Sequence, residues 1–496
     1  MLITFIALYL GATLLIGWWA SRRVKTAKDF AVASKQLPLF VSASGLFATW
    51  FGSETVLGAS SEFVNHGLMG VIEDPFGAAL CLLLVGLFFA RPLYRLNIIT
   101  FCDFYRIRFN KKAELLSAFL IIPSYFGWIA AQLVAMAIII NVLVGLPIAY
   151  GVFFCACLVV FYTYIGGMWA VAVTDTIQTI VIIFGLFFIT YQLVGQAGGF
   201  DNILAKTPSG FFRFYPKENS TTSYISYFAA WITIGLGSIP QQDIFQRVAA
   251  AKSDETAVKA SYLSSAMYLG IAVLPLIIGL CGKIIAPHLL RSGGDSQLFL
   301  PHLIMEYTPV GIQILFFGAL LSAILSTASG AILAPATVVG ENLVQPLYKK
   351  LLTDAQKLRI MRISVLIVAL ISMVMAMIKG NIFELVGEAS AVSLVSLFVP
   401  LSAGLYWRRA TALGALASMI MGTLVWLWCY NGHEYFEIPA LIWGLVASFA
   451  GMILGSVLDS QTRQLNAQSK HDSLKMNTNN SLPQEEVEIE NVRLVI

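Results

Sequence analysis

Gly45-Leu46-Phe47-Ala48-Thr49-Trp50-Phe51-Gly52-Ser53-Glu54 is a polar, glycine-flanked interruption inside an otherwise apolar run. A second stretch, Gly235-Leu236-Gly237-Ser238-Ile239-Pro240-Gln241-Gln242-Asp243, breaks another apolar run in the same way. Proline and glycine at such places free backbone N–H and C=O groups that lipid cannot satisfy. Breaks of this kind are tolerated only where they line a polar cavity. Interrupted helices at corresponding places in two halves of a chain point to the binding site of a transporter.

The surroundings of these breaks are those of a membrane protein. Of 496 residues, 58% are hydrophobic and only 12% charged, with a mean hydropathy of +0.79. A soluble domain carries about 25% charged residues, so the surplus apolar surface must face lipid. A helix needs about 20 apolar residues to cross the hydrocarbon core. That criterion predicts thirteen spans, near 2–20, 38–64, 70–92, 114–145, 148–167, 169–195, 223–247, 258–285, 311–340, 359–379, 381–406, 411–430 and 438–459. Leu2 to Ala20 lacks a basic segment before it and is followed by Ser21-Arg22-Arg23, which predicts a retained span rather than a cleaved signal. Residues 460–496 are polar, with Asn and Ser clusters and Glu485-Glu486-Val487-Glu488, and are expected to form a flexible cytoplasmic tail.

The breaks fall in the second and seventh spans, five helix intervals apart. Residues 38–195 and 223–406 therefore predict two five-helix units, and an odd number of helices per unit sets them in opposite orientations. One extra helix precedes them, two follow over 411–459, and 1–459 forms one transmembrane domain. The competing reading is two independently kinked helices. Orientation follows from charge. With the N-terminus outside, the inner segments 21–37, 91–113, 247–259, 341–362, 407–410 and the tail hold 25 of the 31 Lys and Arg, the outer side only 6. That bias puts the C-terminus in the cytoplasm of a cell-membrane protein.

The ninth span carries the chemistry, in Ala323-Ile324-Leu325-Ser326-Thr327-Ala328-Ser329. Ser326 and Thr327 lie three and four residues after Ala323, so their hydroxyls are expected over its carbonyl on one helix face. Several neutral oxygens in a small volume suit a hard cation such as sodium, and carbonyls freed at the first break, those of Ala48 and Phe51, can complete the set. The alternative is that the hydroxyls bond their own backbone and pack against a neighbour.

Intramembrane acids are functional candidates by default. Asp175, in Val173-Thr174-Asp175-Thr176-Ile177-Gln178, either receives a cation leaving the site or binds hydroxyls or a basic residue. Glu54 is close enough to the expected cavity to touch solute. Glu62, Glu73 and Asp74 are expected in a wet outer vestibule. Asp243 lies inside the second break, and Glu384 and Glu388 share a face with no assigned role. The six cysteines are scattered and read as packing residues. None of the five histidines falls in a catalytic or metal motif, so no enzyme, no transition metal and no cofactor beyond Na+ as coupling ion is expected.

Five segments carry a resemblance: Ala48-Thr49-Trp50-Phe51-Gly52 followed by Leu57-Gly58, Thr100 to Arg108 (TFCDFYRIR), Tyr164 to Gln178 (YIGGMWAVAVTDTIQ), Ile239 to Val248 (IPQQDIFQRV) and Ala323 to Ser329 (AILSTAS). Over roughly residues 1–430 the chain resembles the solute:sodium symporter family, whose fold is the LeuT-like inverted repeat. The resemblance implies an all-α membrane protein and a sodium ion held by the carbonyls of Ala48, Phe51 and Ala323 and the hydroxyls of Ser326 and Thr327. It implies that Asp175 serves a second cation position or the exit path. Within the family the pattern is similar to high-affinity choline transporters and sodium:proline symporters. Trp50 and Trp128 match tryptophans that surround a quaternary ammonium by cation–π contact, the other reading of both rings being packing. Gln241 stands where the choline branch has tryptophan, which favours a solute with a carboxylate or amide.

The expected solute contacts are Trp50, Glu54, Trp128, Gln241 and Gln242, and the expected partners are a small organic solute, Na+ and the bilayer, with no nucleic acid. The expected activity is sodium-coupled uptake of proline or another amino acid. The alternatives are choline or quaternary-ammonium uptake, or a transporter-like sensor, for which the 37-residue tail is too short to be a kinase.

Overall fold

Side-chain caps decide where the apolar runs become helices. Asn110 accepts a hydrogen bond from the Ala113 N–H at the start of Lys111–Val144, and Ser253, Thr353 and Thr411 cap Asp254–Ile271, Asp354–Ile378 and Ala412–Tyr430 in the same manner. Each cap satisfies a backbone donor that would otherwise be orphaned at the helix end. The structure, a computed structural model, describes residues 2–22, 24, 26–291, 296–347, 352–432 and 437–459. The tail expected over 460–496 lies outside the described residues.

Among the described residues the chain is helical, with one isolated bridge pairing Leu37 with Ala251. Ten helical stretches of those residues are long and apolar enough to cross a membrane. The difference from thirteen has three sources. Leu39–Arg95 counts as one stretch of 57 residues, which if straight would be about 85 Å long, nearly three times the hydrocarbon core. It is instead interrupted at Gly67, whose φ of +69° is a conformation that favours glycine. Ile148–Tyr164 is apolar but shorter than the criterion. The expected seventh span is broken into Thr221–Gly237 and Gln242–Ala250, neither long enough alone. The boundary expected between the fifth and sixth spans falls on Gly167, with φ +55° inside Ile148–Gln196; a side chain there would also press on the Phe30 backbone.

Val310–Val338 is the central helix. It packs against Ile148–Gln196, Lys111–Val144 and the N-terminal helix Leu2–Ser21, and almost every residue from Phe316 to Val338 is buried. Ala412–Tyr430 and Ala440–Leu458 form a separate close pair, with Gly414, Gly451 and Gly455 at the contact, where added side chains would collide with the facing backbone. Small residues of this kind let membrane helices approach without a hydrophobic drive.

The two broken helices meet at one end. The Leu37 N–H donates to the Ala250 carbonyl at 3.0 Å and the Lys252 N–H to the Leu37 carbonyl at 2.9 Å. Leu37 stands at the entry to Leu39–Ala48, and Ala250 ends Gln242–Ala250. Arg91 and Arg95 reach Asp254 beside this junction at 4.0 and 2.9 Å.

Candidate functional site

The first break is a real interruption of the backbone. The α-helix Leu39–Ala48 stops, Thr49–Gly52 turn, and the chain resumes as a wide helical turn over Ser53–Ala59 before Ser60–His66. The Thr327 hydroxyl, from the central helix, donates to the Ala48 carbonyl at 2.8 Å. A side chain at Gly52 would stand 3.4 Å from Ile324, so the segment after Phe51 runs against the turn that carries Ala323. The break and the central helix thus bring together Ala48, Phe51, Ala323, Ser326 and Thr327, all nearly inaccessible to solvent.

Ser326 adds an anionic neighbour. Its hydroxyl donates to Asp175 Oδ1 at 2.5 Å and shares a second contact with Thr174 Oγ1 at 3.2 Å. The hydroxyls of Ser326 and Thr327 therefore bond to Asp175 and Ala48 on neighbouring elements. One turn earlier, Ser322 meets Gln178 at 2.6 Å and Thr13 of the N-terminal helix at 2.9 Å. Asp175 Oδ2 faces Arg247 Nη2 at 3.5 Å, and Arg247 Nε donates to the Gly45 carbonyl at 2.8 Å. A narrow cavity borders this pair, with Ser42, Gly45 and Met168 also in its wall. Of the readings open for Asp175, hydroxyl and basic partners are both present.

Arg247 was grouped by sequence with the inner-surface bases; the structure buries it. Its role was not predicted, although a lone arginine in IPQQDIFQRV, four residues after the second break, was the signal. A buried arginine persists only with full hydrogen-bonded compensation, and here a carboxylate and a freed carbonyl supply most of it.

Three of the solute candidates, Trp50, Glu54 and Trp128, lie in or against the same break. Trp128 Nε1 donates to Glu54, and Gln132 Nε2 reaches Glu54 Oε1 at 3.1 Å. The Trp50 ring stands edge-on to Tyr268, 6.4 Å between centroids, and Phe47 and Phe51 complete an aromatic cluster on the same tyrosine. Gln241 is buried at the start of the second half-helix and makes no capping bond. Gln242 is engaged elsewhere: its amide accepts from the Phe101 N–H at 2.8 Å and donates to the Ile99 carbonyl at 3.1 Å, fastening the second break to the TFCDFYRIR segment.

Asp74, expected in a wet vestibule, is 1% exposed. The chain leaves helical geometry at Asp74 (φ −140°, ψ 122°), immediately before Pro75, and its carboxylate turns to the Tyr268 hydroxyl at 2.7 Å. Asp243 is fully buried and takes the Tyr125 hydroxyl at 2.5 Å. Glu62 does sit at an accessible position, 3.0 Å from His66. Glu384 and Glu388 gain a partner, Lys379, at 3.3 and 2.5 Å. Among the described residues no group of three or more His, Cys, Asp or Glu is placed to hold a metal ion.

The chain is similar to known proteins over most of its length. The profile described as "Sodium:solute symporter family" matches residues 30–422. The high-affinity choline transporter 1 of Drosophila melanogaster is 26% identical over 437 residues, 85% of this chain and 69% of its own. The osmoregulated proline transporter OpuE of Bacillus subtilis (strain 168) is 28% identical over 468 residues, 90% of this chain and 93% of its own. Among solved structures, a Na+-coupled sialic acid symporter in a substrate-bound outward-open state superposes with a TM-score of 0.78 at 20% identity, covering 92% of this chain and 96% of the other. Those proteins are transporters, not enzymes.

Proposed function

As the chain belongs to the Sodium:solute symporter family, we propose that it takes up a small organic solute together with sodium by alternating access. The observation that carries this reading is the contact between the Thr327 hydroxyl and the freed Ala48 carbonyl. It joins the two elements from which a site of neutral oxygens for a hard cation would be built. Sodium binds at the carbonyls of Ala48, Phe51 and Ala323 and the hydroxyls of Ser326 and Thr327, with Asp175 one hydroxyl away as the next acceptor on the exit path. Solute binds at the two breaks, against Trp50, Glu54, Trp128 and Gln241. Gln242, bound to the Ile99 and Phe101 backbone, acts by holding the second break in place.

In this proposal the membrane domain spans 1–459 with thirteen crossings. Leu39–Arg95 supplies two, Ile148–Tyr164 one, and the split pair Thr221–Gly237 and Gln242–Ala250 one. Residues 38–195 and 223–406 form oppositely oriented five-helix units. The N-terminus faces outward and the C-terminus the cytoplasm of the cell membrane, as the lysine and arginine bias requires. Sodium bound across the break and the central helix stabilises one state of the cycle, and rocking of one bundle against the other then exposes both ligands to the opposite side.

Two solute classes have direct support, a proline-like amino acid and a quaternary ammonium such as choline, through the relatives that carry those names. Uptake into vesicles holding the full chain, with and without an inward sodium gradient, tests the coupling. Solute accumulation is expected only with the gradient. Equal uptake without sodium removes the coupling, and saturable binding without any flux turns the protein into a sensor.

A further inference from the structure

Two tyrosine–aspartate pairs flank the helix breaks, and among the described residues neither aspartate forms a salt bridge. Tyr268 donates to Asp74 Oδ1 and Tyr125 to Asp243 Oδ1. In each pair the other carboxylate oxygen, Oδ2, is buried with no hydrogen-bond partner. Glu54 stands between the pairs in the contact network. Its neighbour Thr55 shares a 2.5 Å hydrogen bond with Tyr268, and its partner Trp128 lies 5.8 Å from the Tyr125 ring.

The charge count is one-sided. Glu54, Asp74 and Asp243 form no salt bridge among the described residues. Arg247 is the one buried base among those residues. It lies a turn beyond Asp243 and partly offsets that acid's charge, while its ion pair is with Asp175 and its hydrogen bond with the Gly45 carbonyl. Buried carboxylates are kept in membrane proteins where something positive meets them. The acids do not converge as a metal-holding group, so their charge is spread along the site rather than focused on one point.

We infer that the transported solute is an organic dication, a small molecule with two ammonium or guanidinium groups joined by an apolar spacer. One positive group takes Asp74 Oδ2 and the other Asp243 Oδ2, each acceptor held in place by a tyrosine on its other oxygen. Glu54 adds to the negative field between them, and the spacer lies against the faces of Trp50 and Trp128. Aromatic faces favour the same ligand, since cations are attracted to them. The inference rests on the solute-transport reading above and narrows its substrate class. It also replaces the carboxylate-bearing solute suggested by Gln241, because a carboxylate without a paired ammonium would meet three acids.

The test uses the purified full chain and the same protein in sodium-energised vesicles. 1,4-Diaminobutane is expected to raise the melting temperature of the purified protein and to be taken up with sodium. It should compete at least about tenfold better than 1-aminobutane, choline or proline, because the second charge has its own partner. Asp74→Asn and Asp243→Asn should each remove that preference for two charges over one, whereas a merely structural role would weaken both amines alike. If either variant fails to accumulate, the diamine-to-monoamine ratio on the unaltered protein decides.

Sodium-driven uptake of proline or choline that the diamine does not inhibit overturns the dication and leaves the transport reading standing. Diamine binding without sodium-driven flux of any solute keeps the ligand class and overturns transport. Displacement of the diamine by Mn2+ at comparable concentration, or variants that shift only the pH dependence of uptake, would assign the acids to a metal or to protons and overturn the inference.

Discussion

Two buried acids, both within reach of Arg247, are treated in opposite ways. Asp175 has Ser326 on one oxygen and Arg247 beside the other, with the guanidinium also closing on the Gly45 carbonyl. Asp243, on the same half-helix as Arg247, has one tyrosine and an unpartnered oxygen, and Asp74 repeats that arrangement with Tyr268. The first region is balanced by the protein itself. The second holds its acids on tyrosine hydroxyls without an ion pair. A balanced site can present neutral oxygens to a small cation that comes and goes, while an unbalanced one asks its ligand to bring the charge.

Breaking the balanced region should cost most. Arg247→Met leaves Asp175 buried without its base and the Gly45 carbonyl without its donor. Removing one partner of a buried pair costs about 3–5 kcal/mol, so a large fall in melting temperature and loss of uptake are expected. The comparison is sharpened by the double variant Arg247→Met/Asp175→Asn, which removes both charges together. It should recover a substantial part of the stability lost in Arg247→Met, since contacting residues are not additive. Additive losses in thermal unfolding would show that the pair is not the reason for the arginine. The same manipulation has no counterpart at Asp74 or Asp243, where neutralisation removes a carboxylate that forms no salt bridge.

The next effect concerns the neutral oxygens. Ser326→Ala together with Thr327→Ala should raise the sodium concentration for half-maximal uptake by about tenfold or more, taking each lost contact at roughly 1 kcal/mol. Unchanged sodium dependence would move the ion elsewhere. Trp50→Ala reads out the other region. It should weaken solute affinity by about tenfold, the scale of a desolvated cation–π contact, with a smaller effect on sodium. Equal effects on both ligands would reduce the ring to packing against Tyr268.

The breaks were legible because they are exceptions to their surroundings: glycine, proline and polar residues stand out inside apolar runs. Gly167 was legible for the same reason, as the boundary between two runs. What lay beyond reach was pairing. Tyr125 and Tyr268 look like any aromatic residue in an apolar helix, and nothing in their local spacing tells which acid each hydroxyl meets. Arg247 was placed on the inner surface because a base near a span end usually lies there; its burial depends on Asp175 and Gly45, both remote in sequence. Gln242 differs from Gln241 only by position. The turn of the half-helix sends one amide to the Ile99–Phe101 backbone, and sequence spacing alone does not fix that direction.

The smallest expected effect marks the edge of the comparison. Lys379 pairs with Glu384 and Glu388, and Tyr430 also donates to Glu388, but these groups are partly exposed. Water already solvates the charges there, and ion pairs of that kind contribute under about 1 kcal/mol. Lys379→Met should therefore lower thermal stability only slightly, with a loss that shrinks further in high salt because screening weakens exposed pairs. A fall in uptake as large as that of Arg247→Met would place the Lys379 cluster in the transport cycle. The rule that burial decides which charges matter would then fail for this molecule.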